Sequence, residues 1–403
     1  MKSSRIGANA LTMGHKNRAL IMYLIFLLGP ISRRQLARES GLTGGALTKI
    51  TSELIAEGFV SEVGVERQKD AGPGRTPILL DLVPKKNGVI GVNISRQFIQ
   101  AALVDIRGEI LKSHYLQIPD DIYKNSHKVA GMVEALVSAL EETAKLMGFI
   151  VYRVGISCPG IIDSTKQHIH LSSTMGWEDV RFGHFLKQSI GHLPLSLENN
   201  VKSMALAEQW FGAGAGFNNT VLIYIGYGVG CGQIIDGRIY AGSHFRAGEL
   251  GHTTVNPNGQ QCYCGKRGCL ETVASGRAIL AQVAEVIDGG DHHSAGSWDE
   301  ERVTDMVAQG QIEVVEILEK AGAALGWASV NLVNILDPEV IVLAGQFAYD
   351  ESPLFHSFVE TVSEGAFHGT TMGRLASSKL GGKLGLLGAA TIALKQAFYD
   401  TVS

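Results

Sequence analysis

Residues 262 to 269 read Cys-Tyr-Cys-Gly-Lys-Arg-Gly-Cys and place three of the chain's five cysteines within eight positions. The other two, Cys158 and Cys231, lie far apart, so the even disulfide framework of a small secreted domain does not fit this chain of 403 residues. Thiols set this closely hold a metal, and zinc takes four soft or borderline ligands in a tetrahedron. The fourth must come from nearby. His252 stands ten residues before Cys262 in GELGHTTVNPNG, and the intervening Asn-Pro-Asn-Gly is suited to turning the chain back. The expected site is one structural Zn2+ per chain on His252, Cys262, Cys264 and Cys269, with Gly265 and Gly268 permitting a tight knuckle. The plain alternative is three buried, reduced thiols. Four protein ligands leave no open position for a catalytic water, and Lys266 and Arg267 are expected to offset the charge of three thiolates.

Such a cluster needs a body to hold it, and 403 residues with 45% hydrophobic content can form two or three cores. No segment is long enough to span a bilayer. The most apolar run, ALIMYLIFLLGPI at 19–31, reads as a buried helix rather than a leader, because no small-x-small cleavage site follows it. A thiolate cluster in a reducing environment makes the cytoplasm the expected location. The net charge of −4 is unevenly spread: residues 1–86 hold 13 Lys and Arg against 7 Asp and Glu, a net of +6, which leaves −10 on the remainder. A basic module on an acidic body fits a chain whose one part meets a polyanion and whose other part meets a different ligand.

Within the basic part, SRRQLARESGLTGGALTKITSELIAEGFV carries apolar residues at Leu36, Ala37, Leu42, Leu47, Ile50, Leu54 and Ile55, a helical spacing broken at Gly41. The pattern predicts a helix, a tight turn and a second helix capped by Thr43. Thr43, Gly44, Gly45, Thr48 and Lys49 are then expected at the major groove, with Arg33 and Arg34 nearer the phosphates. Two β-type runs, FVSEVG and TPILLDL, flank VERQKDAGPGR and predict a hairpin wing with Arg75 at its tip. The expected organisation is a tail over 1–15, a winged helix-turn-helix over 16–84, and a body over 85–403 whose two lobes divide near 205–218. The body alternates strand and helix signals. NGVIGVNISRQFIQAALVDIRGEIL and TVLIYIGYGVGCGQIIDGRIYAG share one strand-turn-strand plan, so each lobe is expected to open on a hairpin-rich sheet.

GELGH with CYCGKRGCLE, SCPG, LENNVKSMALAE, GYGVGCG and LDPEVIVLAG together resemble the ROK family of sugar kinases and sugar-responsive repressors over 85–403. The added N-terminal module resembles its repressor branch, the NagC, Mlc and xylose-repressor group. The resemblance implies an α/β fold of the two-lobed, actin-like ATPase type, a sugar in the cleft, zinc beside it, and dimers or tetramers. It assigns the sugar to Asn199, Glu249, His252 and Glu271, with Asn200 beside them. Such side chains can exchange paired hydrogen bonds with vicinal hydroxyls. His252 is expected to meet zinc through one nitrogen and sugar through the other.

The chain also departs from the kinases. Asn200 stands where they carry an Asp base, and an amide cannot take that proton. Asn93, Ser95 and Gln97 replace the Asp, Gly and Thr of the first phosphate loop, and Arg96 replaces a small residue. Tyr227 stands in the second phosphate turn where Thr is usual, and Ala344 interrupts a later Gly pair. The expected function is a sugar-responsive transcriptional regulator, a repressor, that binds double-stranded operator DNA as a homodimer or tetramer, with no membrane association and no catalytic residues. Two rivals are a repressor controlled by a regulatory protein partner, and a sugar kinase with a DNA-binding appendage, which Asn93 and Asn200 disfavour.

Overall fold

The computed structural model describes residues 10–65, 77–289, 298–367 and 373–400. The first helix, α1 (Ala10–Leu28), starts inside the stretch expected to be a tail, and it buries Ile21, Met22 and Ile25. α2 (Arg33–Ser40) begins in a capping box, in which Ser32 Oγ accepts from Gln35 N–H while the Gln35 side chain accepts from Ser32 N–H. It ends at Gly41, and Thr43 Oγ1 then accepts from Ala46 N–H at 3.4 Å to open α3 (Gly44–Ala56). The short strand β1 (Ile31–Ser32) pairs with β3 (Ile78–Leu82), which pairs in turn with β2 (Val60–Val65), all antiparallel. The β2–β3 connection, with Arg75, lies outside the described residues. Leu36, Leu47, Leu54, Phe59, Val60, Leu80 and Leu82 fill the space between these elements.

The body follows from Asn87 as two sheets with one plan. In the first, β4 (Asn87–Ile94), β5 (Phe98–Asp105) and β6 (Ile110–Gln117) form an antiparallel meander, and β7 (Ile150–Cys158) and β11 (Leu195–Asn199) extend it in parallel on the other side, in the order β11-β7-β4-β5-β6. Helix α4 (Ser126–Met147) makes the crossover to β7. β8 (Ile161–Asp163), β9 (His168–Ser172) and β10 (Trp177–Val180) make a small side sheet next to α5 (Phe182–Lys187). The second large sheet repeats the scheme with β12 (Thr220–Ile225), β13 (Val229–Ile235), β14 (Arg238–Ile239), β15 (Val340–Gly345) and β16 (Arg374–Ser377), in the order β14-β13-β12-β15-β16.

Two helices fill the layer between the sheets. α6 (Asn200–Phe211) packs on β12 and β13, the last helix packs on β4 and β7, and the two pack on each other. The second lobe adds α7 (Glu271–Ala274), α8 (Gly276–Ile287), α9 (Glu300–Ala308), α10 (Ile312–Leu336) and α11 (Pro353–Gly365), and the last helix is α12 (Leu384–Leu394). The sequence division near 205–218 falls at the end of α6, yet the chain returns to the first sheet through α12. α12 is buried along its whole length, and Gly155 of β7 lets it approach, since a Cβ there would strike the Ala389 carbonyl.

Candidate metal centre and effector cleft

The knuckle closes on itself through its backbone. Cys262 N–H donates to Lys266 O at 2.8 Å, Gly265 N–H to Cys262 O at 3.0 Å, and Gly268 N–H to Gln260 O at 2.9 Å. Gly268 has φ +69° and faces the Asn256 carbonyl where a Cβ would collide, so no larger residue suits it. The short turn Leu250–His252 then brings the histidine to the cysteines. One ligand atom from each of His252, Cys262, Cys264 and Cys269 lies within 4.8 Å of every other. Cys262 Sγ is 3.7 Å from His252 Nδ1 and Cys264 Sγ is 3.6 Å from Cys269 Sγ. Metal–sulfur bonds of about 2.3 Å in a tetrahedron put sulfurs about 3.8 Å apart, so the donor set fits zinc in chemistry and spacing. Lys266 Nζ donates to His252 O at 2.6 Å and so brings a cation beside the thiols, whereas Arg267 turns to Gly259 O.

With Nδ1 facing Cys262, the other nitrogen, Nε2, meets the Tyr263 hydroxyl at 3.2 Å. Burial, and after it the Glu271 carboxylate, Cys262 and Glu249, push the Tyr263 phenol well above its usual range. Tyr263 therefore links the histidine to the surroundings of Glu271, a role that nothing in its spacing announced. Glu271 opens α7, is 5% exposed, and accepts from Val229 N–H at 3.2 Å. Glu249 is exposed at the start of the histidine turn.

On the other side, the two asparagines stand where β11 becomes α6. Asn199 caps the helix, its Oδ1 accepting from Lys202 N–H at 3.0 Å and its Nδ2 donating to Gly160 O at 2.9 Å. Asn200 is half-buried, and its side-chain amide has no hydrogen-bond partner among the described residues. Lys202 joins the two groups. It is 4% exposed, its Nζ donates to Phe245 O at 2.8 Å, and burial lowers its pKa while Glu198 and Glu249 raise it. Phe245, held at φ +61°, also stacks on His170 with ring centres 6.1 Å apart. A single charged residue in the stretch VKSMALA was the available signal for Lys202.

Of the positions expected to depart from the kinases, Asn93, Ser95 and Ala344 are accommodated by the protein itself. Asn93 is buried and its Oδ1 accepts from Ser157 Oγ at 3.0 Å. Ser95 Oγ donates to Phe98 O and accepts from the Gln97 and Phe98 N–H groups. Ala344 is buried in β15.

In the N-terminal module, Thr43, Gly44, Gly45, Thr48 and Lys49 are exposed together at the start of α3, and Arg34 is exposed on α2. Arg33 is not with them. Its Nε donates to Thr51 Oγ1 at 3.0 Å and both Nη atoms reach Glu62 Oε1 at 3.2 Å, so it joins α2, α3 and β2 rather than presenting a free cation. Its sequence neighbour Arg34 looked equivalent, but the helical step of about 100° separates their directions.

The ROK family model matches residues 89–396. The xylose repressor of Caldicellulosiruptor bescii is 28% identical over 364 residues, covering 87% of this chain and 88% of its own. Among solved structures, a ROK family transcriptional regulator described as a homologue of the E. coli Mlc protein is 29% identical with TM-score 0.80, covering 96% of this chain and 97% of its own. A ROK family glucokinase from Streptomyces griseus, solved with glucose and AMPPNP, is 26% identical with TM-score 0.67, and covers 76% of this chain and 98% of its own. Among the described residues no helix is long and apolar enough to cross a membrane.

Proposed function

The chain belongs to the ROK family, and from that premise we propose that it is a cytoplasmic, sugar-responsive transcriptional repressor and not a sugar kinase. The observation that carries this is coverage. The regulator's structure matches 96% of the chain, N-terminal module included, whereas the glucokinase matches 76%. The module, expected over 16–84, acts as a winged helix-turn-helix that begins with α1. Thr43, Gly44, Gly45, Thr48 and Lys49 meet the major groove, Arg34 the phosphates, and Arg75 the wing contact. A homodimer or a tetramer presents paired modules to a partly palindromic operator.

The effector, a sugar or sugar derivative, lies between Asn199 and Asn200 on one side and Glu249, His252 and Glu271 on the other. His252, Cys262, Cys264 and Cys269 would hold one Zn2+, which serves to fix the knuckle. Tyr263 then orients His252, and the free Asn200 amide supplies a hydrogen-bonding group where a kinase needs a base. α6 is the connecting element. Its first residues belong to the cleft, and its last two, Trp210 and Phe211, have ring centres 5.2 and 5.8 Å from that of Phe26 in α1. Twelve residues of helix span about 18 Å, so a tilt of α6 on sugar binding reaches α1 as a rigid displacement.

The test is operator affinity by fluorescence anisotropy with D-xylose, D-glucose and N-acetyl-D-glucosamine. At least one sugar should weaken binding by tenfold or more, on the order of the coupling usual between sites. Glu271→Ala should bind operator like the parent and lose the response. Loss of operator binding in a zinc-replete Glu271→Ala protein counts against the cleft as the switch.

A further inference from the structure

Two turns from different lobes meet through residues that the effector site does not use. Arg96 projects from the β4–β5 turn and Tyr227 from the β12–β13 turn. Arg96 Nη1 donates to the Tyr227 hydroxyl at 3.1 Å, and its guanidinium lies 5.4 Å from the ring centre. The same guanidinium lies 4.7 Å from the ring centre of Tyr123, which precedes α4. Beyond Tyr227, Arg277 in the first turn of α8 lies 4.9 Å from its ring centre and 3.5 Å from its hydroxyl. Tyr123, Arg96, Tyr227 and Arg277 thus form an alternating series of ring and cation, two members from each lobe.

Neither arginine has an ion-pair partner among the described residues. The two like charges are held near each other by aromatic faces and one phenol oxygen, and Tyr227 is what both share. At 48% exposure its ring is not there to fill a core. The turn that carries it is also fixed to the effector side: Gly226 O accepts from Gly276 N–H at 2.9 Å, and Val229 N–H, two residues after Tyr227, donates to Glu271 Oε2 at 3.2 Å.

We propose that Tyr227, clasped between Arg96 and Arg277, is a cross-lobe latch and a positioning residue: it favours the lobe arrangement seen here and steadies the turn against which Glu271 is set. The latch stands on geometry alone. Its effect on effector binding rests on the sugar-responsive reading above. Since the contact exists only when the two turns are within reach, losing it lowers the population of the closed arrangement and weakens, by the same fraction, any ligand that needs it.

The experiment compares the full-length parent with Tyr227→Leu and Tyr227→Phe by hydrogen exchange, and by calorimetry with D-xylose, D-glucose and N-acetyl-D-glucosamine. Tyr227→Leu keeps bulk but loses both the ring and the hydroxyl, and a half-exposed position tolerates it. It should speed exchange at residues 95–98 of the opposite lobe and weaken the sugar that the parent binds by about three- to tenfold. Zinc content and sugar-free operator affinity should stay at the parent's values. Tyr227→Phe keeps the face toward both arginines and should restore most of the protection and affinity. Unchanged exchange at 95–98 in Tyr227→Leu overturns the latch, and so does a Phe variant as deprotected as Leu. Altered exchange with unaltered sugar affinity keeps the latch and overturns the positioning role. A parent that binds none of the sugars defeats the effector reading, while the exchange comparison still decides the latch.

Discussion

Cys264 is the exposed member of an otherwise sheltered ligand set, and its Sγ lies 3.6 Å from Cys269 Sγ. Cys264→Ser should lower zinc, by elemental analysis, from about one to well under one ion per chain and reduce the effector response with it. Cys158→Ser and Cys231→Ser should retain the metal. Both thiols are buried, and neither belongs to the four-residue cluster. Asn200 carries a second prediction. Sugar-dependent ADP release should stay far below about 1 per second, the lower end of usual turnover, in the parent and in Asn200→Asp. The single change leaves Asn93 bonded to Ser157 and Arg96 bonded to Tyr227. Four ligands within eighteen residues were legible because short loops limit how far such donors can separate. The contacts of Tyr263 and Lys202 were not, since the first depends on how the histidine turn faces the knuckle and the second on a carbonyl 43 positions away.

For the elements, α2 and α3 follow the local rules closely. Gly41 ends one helix at φ +68° and Thr43 caps the next, a contact worth about 1 kcal/mol. The exposed start of α3 gives a sharp contrast between two cations. Lys49→Ala should weaken operator binding and lower its salt dependence by about one ion while leaving thermal unfolding unchanged. Arg33→Ala should lower the melting temperature, because it deletes the Thr51 and Glu62 contacts at a cost of about 1 kcal/mol. Any loss of operator binding in that variant should accompany the loss of stability rather than a changed salt slope. Residue type alone made Arg33 and Arg34 look alike; the reach of Arg33 to Thr51 of α3 and Glu62 of β2 separates them.

Across the whole molecule, α1 is fixed to the body by an aromatic cluster. Tyr23 and Phe26 have ring centres 5.7 and 5.2 Å from Trp210 and 6.4 and 5.3 Å from Tyr399, and Arg107 Nη1 donates to Phe26 O at 3.0 Å. α1 is in turn tied to the C-cap of α3 by the paired contacts of Arg18 with Glu57, at 2.9 and 2.5 Å. Phe26→Leu keeps apolar bulk at a cost under about 1.5 kcal/mol and removes the ring contacts with α6. Sugar affinity and sugar-free operator affinity should hold near the parent's values while the ratio of operator affinities with and without sugar falls toward one. A parent-like ratio would place the coupling outside the α6–α1 contact.

The sequence by itself determined what is local or strictly periodic. Thiol and imidazole spacing defined the four-residue cluster that could hold a metal, Gly41 and Thr43 bounded two helices, charge separated a basic module from an acidic body, and the repeated strand-turn-strand plan foretold two matching sheets. Chain stereochemistry and short loops enforce these wherever the segment ends up. Only the tertiary structure decided that α12 returns to the first sheet, that Arg33 is spent on Thr51 and Glu62, and that Tyr263 holds His252. It also decided that Arg96 reaches Tyr227, 131 positions away. Contacts of that range depend on which faces of distant elements are pressed together, and no spacing within either segment carries that information.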